Sequence, residues 1–368
     1  MTKEFDFCGG VDVGGTKIAS ALFTEDGVMT AKAKVPVDAS GADRAAAQVA
    51  GSVRRLGEAA AAAGGRLRAV GVSVPGIVYA ATGRVWAPNV PGWDEYPLLE
   101  AIGGAAEQGA LKKRGKTPVV LESDRSAYVT GEAWRGAAAG AADAVFLAVG
   151  SGIGAGILAG GRLIHGHADI AGAVGWFGLN LDFRPEYAAM GCFEAEASGN
   201  SVGRKARAFL SAGRASLMAE LAGGRVEDVT GETVAAAARL GDPLALEVAA
   251  DAVRYLAMGI ANIVSMLDPE VVVLGGGLFQ APDVFFEPVR REFARWAQPV
   301  AAARVRLVLS ALGEDAGLYG CAKLAWDRHG AAGSGFSGGT RRIKAGCSGP
   351  GAGRYLRRRI QKRDSRRA

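Results

Sequence analysis

Asp12-Val13-Gly14-Gly15-Thr16-Lys17 follows an apolar run that begins at Phe5 and leads straight into a second one, Ile18-Ala19-Ser20-Ala21-Leu22-Phe23. This pattern predicts a strand, a tight turn and a second strand. Gly14 and Gly15 let the backbone approach a ligand closely, while the Thr16 hydroxyl and the Lys17 ammonium can hydrogen-bond phosphate oxygens. Asp12, at the mouth of the turn, can hold a hydrated magnesium ion. The turn is not a Walker A loop, because no Gly-Lys-Ser/Thr follows at the required spacing. Alone it is weak evidence, since glycine is also the commonest solution to hairpin geometry.

The chain then repeats the theme. Residues 144–149 read as a strand, Gly150-Ser151-Gly152-Ile153-Gly154 as a turn and residues 155–158 as a strand, so Gly150, Ser151 and Gly152 offer backbone N–H groups and one hydroxyl to phosphate. A third glycine cluster, Gly275-Gly276-Gly277, follows the buried strand 271–274 and leaves room where a side chain would block a flat purine. Two copies of one hairpin imply two similar halves. Between them, residues 43–63 have helical periodicity ending at Gly64-Gly65, residues 67–74 form a strand ending at Pro75-Gly76, and strand 118–122 leads through Ser123-Asp124 into a helix. Residues 245–267 form a long helix with an apolar face. The alternation places the protein in the α/β class.

Bulk composition fits a cytoplasmic enzyme. The 368 residues are 49% apolar and 22% charged, a balance that excludes a disordered or fibrous chain. No run of about 18 apolar residues suggests a membrane span, and the acidic N-terminus lacks the basic patch of a signal peptide. Cys8, Cys192, Cys321 and Cys347 have no paired short spacing, so neither a disulfide framework nor a four-cysteine zinc site is indicated. The net charge of +6 is misleading: residues 331–368 carry eleven basic residues against Asp364 alone, leaving residues 1–330 mildly acidic. That tail is rich in Gly, Ser and Arg and is expected to be disordered, a solvated extension or a transient contact for anionic surfaces.

In order, DVGGTK, VPGIV, TGRVWAPNVPGW, ESDRSA, GSGIGAGI and DPEVVVLGGG resemble the ROK group of sugar kinases and related repressors, within the actin-like ATPase fold. The resemblance covers roughly residues 7–326. It implies two actin-like, ribonuclease H-like domains, each a five-stranded sheet with helices, closing over ATP and substrate. Residues 1–125, rejoined by 311–328, would form the first and residues 126–310 the second. The family's catalytic aspartate, in a Glu-Asn-Asp-Ala-like motif, matches Asp124. Phosphoryl transfer to a hydroxyl needs such a carboxylate to orient the acceptor and accept its proton, with donors and a metal for the phosphate charge. Without that context, an aspartate at a strand end reads as a turn or helix cap.

The acceptor side departs from the pattern. Where the family carries Gly-Glu-Ile-Gly-His, this chain has Gly172-Ala173-Val174-Gly175-Trp176, so Ala173 replaces the sugar-contacting Glu and Trp176 the sugar- and zinc-binding His. Only Gly191-Cys192-Phe193-Glu194 survives of the cysteine-rich zinc loop, and one thiol makes no tetrahedral site. No structural zinc is expected, and His165 and His167 read as polar residues of an exposed hairpin. Ser123 stands where the family has Asn, a shorter group with one donor instead of two. Glu194 occupies another sugar-contacting position, and Asn89 is a further candidate contact or a turn former. Trp176 offers a face for stacking or fills the core. Each lost partner for a buried hydroxyl costs about 1–3 kcal/mol, so the expected acceptor is a modified sugar, such as an aminosugar or deoxysugar, or a cyclitol.

Two other readings stay open: a conventional glucokinase or hexokinase in which backbone groups or water replace the lost contacts, and a non-catalytic sugar sensor. A DNA-binding repressor is disfavoured because eleven residues before Asp12 are too few for a helix-turn-helix. Family precedent implies a homodimer, with ATP and Mg2+ as cofactors.

Overall fold

The computed structural model describes residues 5–103 and 117–333. Its strands are β1 (Phe5–Val13), β2 (Lys17–Phe23), β3 (Met29–Pro36), β4 (Gly65–Val74), β5 (Ile77–Tyr79), β6 (Arg84–Trp86), β7 (Val119–Ser123), β8 (Ala144–Val149), β9 (Ile153–Ala159), β10 (Arg162–Leu163), β11 (Val271–Gly275) and β12 (Arg306–Leu309). They form two five-stranded sheets, in the orders β3-β2-β1-β4-β7 and β10-β9-β8-β11-β12. In each sheet the first three strands of the sequence run antiparallel as a meander, and the two later strands join parallel to the first of them. The two sheets are therefore copies of one plan, as the repeated hairpins imply. The fold is α/β, as expected.

Both central strands are apolar on both faces because helices cover them. Val11, Val13, Val70, Val72 and Val74 are buried in the first sheet against Val49, Val53 and Leu56 of helix Ala42–Ala62. Val272 and Leu274 are buried in the second against the 25-residue helix Pro243–Leu267, which Asp242 caps by accepting from Ala245 N. Some boundaries differ from the sequence reading. Ile153 and Gly154 belong to β9, so the second turn shrinks to residues 150–152. The strand β3 and the short helices between residues 187 and 221 carry weak periodicity and escape it. The basic tail lies, from residue 334 on, outside the described residues.

Two helices join the sheets. Helix Asp124–Arg135 leaves the end of β7, and helix Ala316–Gly333 follows β12 and the turn Gly313–Asp315. They approach to backbone distance: a Cβ on Gly320 would lie 1.8 Å from the Ala127 carbonyl oxygen, and one on Gly131 would lie 2.3 Å from that of Ala316. Beside this crossing, the fully buried Glu132 accepts hydrogen bonds from Ala137 N (2.6 Å), Ser310 Oγ (2.5 Å) and Leu312 N (3.1 Å), fixing the segment by which the chain returns from the second sheet to the first. Overpacking costs about 1–3 kcal/mol when neighbours can shift, and two backbones cannot. Gly320→Ala should therefore lose at least about 2 kcal/mol in urea unfolding, whereas Gly330→Ala, on the same helix with open space around it, should be neutral or stabilising; equal stability of the two variants would contradict the crossing.

A candidate phosphotransferase cleft

Asp12 sits at the end of β1, where the strand opens onto the first glycine turn. The turn is closed by Gly14 N donating to Lys17 O at 2.8 Å. Asp12 is half-buried, accepts a hydrogen bond from Ser73 Oγ at 2.5 Å on Oδ1, and has Gly317 against its carboxylate, where a Cβ would come within 2.5 Å. Burial raises its pKa, with the Ser73 hydrogen bond and the Lys17 charge opposing. Lys17 pairs with Glu314 at 2.9 Å, and Lys34 binds the same carboxylate at 2.7 Å. These two lysines hold Glu314 down to about 2.

A cavity of about 550 Å3 opens beside this turn, lined by Asp12, Gly14, Lys17, Tyr128 and all three glycines 275–277. A second, of about 590 Å3, is lined by Gly150, Ser151, Asn200, Glu232, Arg239 and Gly277. Gly277 borders both, and nothing lies within 4 Å of where its Cβ would be. Its neighbours are glycine for other reasons. A Cβ on Gly275 would strike the Phe146 ring, and Gly276 combines a φ of +99° with the Val149 carbonyl 2.4 Å from its missing Cβ. Gly150 joins the second loop to a helix N-terminus, its carbonyl accepting from Gly199 N at 2.8 Å. Thr16 and Gly15 are exposed, with Asn89 in the turn above Gly15, its Cβ 3.5 Å from where that of Gly15 would be.

Asp124 is the first residue of helix Asp124–Arg135, with about a fifth of its side chain exposed. Its Oδ1 accepts from Arg125 N at 2.8 Å. Burial pushes its pKa up to about 7; the Arg125 charge opposes the rise and the Asp12 charge adds to it. A carboxyl poised near neutrality is what a general base at working pH requires. One turn on, at i+4, Tyr128 reaches the first cavity, and at i+8 stands Glu132. Tyr128 was not singled out from the sequence, although helical spacing from Asp124 would have found it.

The acceptor-side candidates are differently engaged. Ser123 does not present its hydroxyl to the cleft: it caps the helix, accepting from Ser126 N at 3.3 Å and donating to Ser126 Oγ at 3.0 Å. Glu194 accepts from Ile153 N at 2.8 Å, placing it under the second loop, and burial raises its pKa. Trp176 is 58% exposed in the turn Val174–Trp176, so it does not fill the core. Both histidines are loop residues and His167 is exposed, as read, but His165 is engaged. His165 is no free hairpin residue: its Nε2 lies 2.8 Å from Oε2 of the buried Glu122, whose other oxygen accepts from Ser123 N. A neighbour of the catalytic candidate is thus tied to the second sheet's loop, where Asp169 likewise accepts from Ala80 N at 3.1 Å. The pairing spans 43 residues and no local pattern announces it. Cys192 is buried, with Leu179 N donating to its Sγ at 3.4 Å.

Two glycine loops on adjoining cavities that share Gly277, with an aspartate of raised pKa close enough to Asp12 to feel its charge, fit a phosphotransferase of the actin-like ATPase fold. The ROK family profile matches residues 8–328, and the chain belongs to the ROK family. A glucokinase from Streptomyces coelicolor is 32% identical over 328 residues, 86% of this chain and 96% of that one. A glucokinase from Thermotoga maritima is 31% identical over 87% of this chain and 98% of its own. Among solved structures, a ROK family glucokinase from Streptomyces griseus in complex with glucose and AMPPNP is 31% identical, with a TM-score of 0.70 over 87% of this chain and 99% of that one.

The Glu122 contact raises the His165 pKa above its ordinary value near 6.5. A proton bound more tightly in the folded state stabilises fully below the unfolded value and is lost as pH rises through the folded one. The Tm difference between the protein and His165→Gln should therefore be largest below the ordinary imidazole value and shrink as pH rises through the raised folded-state value. It should be modest because the ring is 41% exposed. A difference that does not change with pH would rule out the ion pair.

Proposed function

We propose that this protein is an ATP-dependent kinase that phosphorylates a hydroxyl of a sugar or sugar-like polyol. The observation that carries the reading is Asp124, largely buried at the head of its helix with its pKa pushed up to about 7, partly by the charge of Asp12 beside the first glycine loop. Asp124 orients the acceptor hydroxyl and takes its proton. With the Gly14 and Gly150 N–H groups spent closing the two turns, the N–H groups of Gly15 and Thr16 and of Ser151 and Gly152, with the Ser151 hydroxyl, hold phosphate oxygens, and the space at Gly277 admits the purine. The relatives named as glucokinases, and the AMPPNP bound by one of them, support the sugar and the nucleotide.

Asp12 fits a magnesium ion bound through water: it is a hard oxygen donor beside the phosphate turn, and its buried charge gains from a cation. Among the described residues no cluster of three or more metal-binding side chains occurs, and a magnesium ion held mainly by phosphates and water needs none. When bound with the nucleotide it neutralises charge developing on the phosphates.

The finer reading is a modified sugar, such as an aminosugar or deoxysugar, or a cyclitol, acted on in the cytoplasm by a homodimer whose two domains follow the two sheets. Ala173, Trp176 and the capping role of Ser123 support it, since three polar contacts of the family pattern are absent from the acceptor side. A conventional glucokinase is the second reading, favoured by the glucose bound in the Streptomyces griseus relative. ADP release measured over hexoses, hexosamines and cyclitols separates them, and efficient glucose turnover would overturn the finer reading.

Two further outcomes are expected. Asp124→Asn should lower kcat by about 10²–10⁴-fold while leaving the Tm similar; retained turnover would sink the mechanism. Because the base acts deprotonated, kcat/KM should rise with pH along an acid limb with an apparent pKa near about 7, and a limb at the ordinary aspartate value would contradict the burial argument.

A further inference from the structure

Arg125 stands beside the candidate base without a role in the reaction as described. It stands where the Glu-Asn-Asp-Ala-like motif has alanine, directly after the candidate base. Its side chain is only 15% exposed and lies between Asp124, the Gly76 carbonyl and Gly154 of β9, whose Cβ would come 2.4 Å from Arg125 Cδ. Among the described residues the guanidinium makes one hydrogen bond, Nη2 to Gly76 O at 3.4 Å, and its Nε stands 4.0 Å from Asp124 Oδ1. Guanidinium has five N–H donors, so most of this group's capacity is unspent.

The placement is unfavourable for a cation on two counts. The group is mostly buried, and it lies in the first turn of a 12-residue helix, at the positive end of the helix dipole. Among the described residues its one ion-pair partner is Asp124, and that charge disappears whenever Asp124 holds a proton, as it does during the transfer. Arg125 and Gly76 line neither of the two cavities at the glycine loops, and nor does Asp124, so the guanidinium stands beside the candidate base and outside both. A planar fork with free donors, close to the base, matches a carboxylate or phosphate ester, which it can hold by two parallel hydrogen bonds.

We infer that the acceptor carries an anionic substituent and that Arg125 is the residue that selects it. The inference rests on the kinase reading and narrows its modified sugar to a sugar acid or sugar phosphate; a free amine at this position would be repelled. The chemistry stays balanced. Asp124 takes the hydroxyl proton as the new O–P bond forms, the bond from the γ-phosphorus to the β–γ bridging oxygen breaks, ADP leaves, and the anionic substituent is unchanged.

The test measures ADP release from ATP with gluconate, glucuronate and glucose 6-phosphate beside glucose, glucosamine and myo-inositol. An acidic acceptor should exceed the best neutral one in kcat/KM. Arg125→Ala should lower kcat/KM for the acid at least about tenfold more than for the neutral compound, the range expected for a charge-assisted contact, mainly through KM, with Arg125→Lys recovering part of the difference. Neutral acceptors turning over as well as acids would overturn the inference, as would an Arg125→Ala loss equal for all acceptors, which would assign the group to the transferring phosphoryl instead. Ligand-induced Tm shifts, with Arg125→Lys as the second variant if Arg125→Ala does not fold, provide a readout independent of turnover. ADP release with no acceptor would sink the kinase reading itself, while Tm shifts produced by acids and not by neutral sugars would still support the anion site, and their absence would remove it.

Discussion

The geometry of the cleft depends on a contact that contains almost no side chain. Helices Asp124–Arg135 and Ala316–Gly333 cross with Gly131 and Gly320 against carbonyl oxygens of the opposite helix. The first helix begins at Asp124, and the second begins just before Gly317, against Asp12. The separation between the candidate base and the phosphate turn is therefore set by how closely two backbones approach. Side-chain interfaces can adjust by rotamer changes, but a backbone contact has no such freedom. Glu132, satisfied by a hydroxyl and backbone N–H groups, prevents the returning segment from relaxing the crossing.

Around this frame stand two largely buried carboxylates whose proton affinities are both raised, that of Asp124 in part by the charge of Asp12. Burial is the larger cause for both Asp12 and Asp124, and the Asp12 charge adds to the shift at Asp124. A cation delivered with the nucleotide beside Asp12 would ease that repulsion and favour the ionised form of Asp124. On the kinase reading, nucleotide binding and base activation would thereby be coupled through charge.

The sequence carried the nucleotide side well because glycine turns between apolar runs are local patterns. Asp12, Gly14, Lys17 and Gly275–Gly277 lie on one cavity, with Gly150 and Ser151 on the adjoining one. The acceptor side was less legible, since its residues meet across long separations. His165 binds Glu122 and Glu194 binds Ile153 N, 43 and 41 residues apart. Ser123 shows a different failure: a serine before a helix is a cap by local rules, and the motif drew attention to the cleft instead. Tyr128 and Glu132 lay in reach of helical spacing from Asp124, but nothing in the sequence says what their side chains would meet.

The pairing of Lys17 with Glu314 gives the first loop an internal ligand. Glu314 is held near 2 by Lys17 and Lys34, so no ordinary change of pH removes it. A small anion of single charge that enters the loop finds the ammonium already neutralised and gains little by exchange. A triphosphate, with several charges and the backbone N–H groups of the turn as additional donors, can take the ammonium while Lys34 keeps Glu314 satisfied. On the kinase reading, the Lys17–Glu314 pair would be a contact that the incoming phosphates exchange, at little cost because both side chains are more than half exposed.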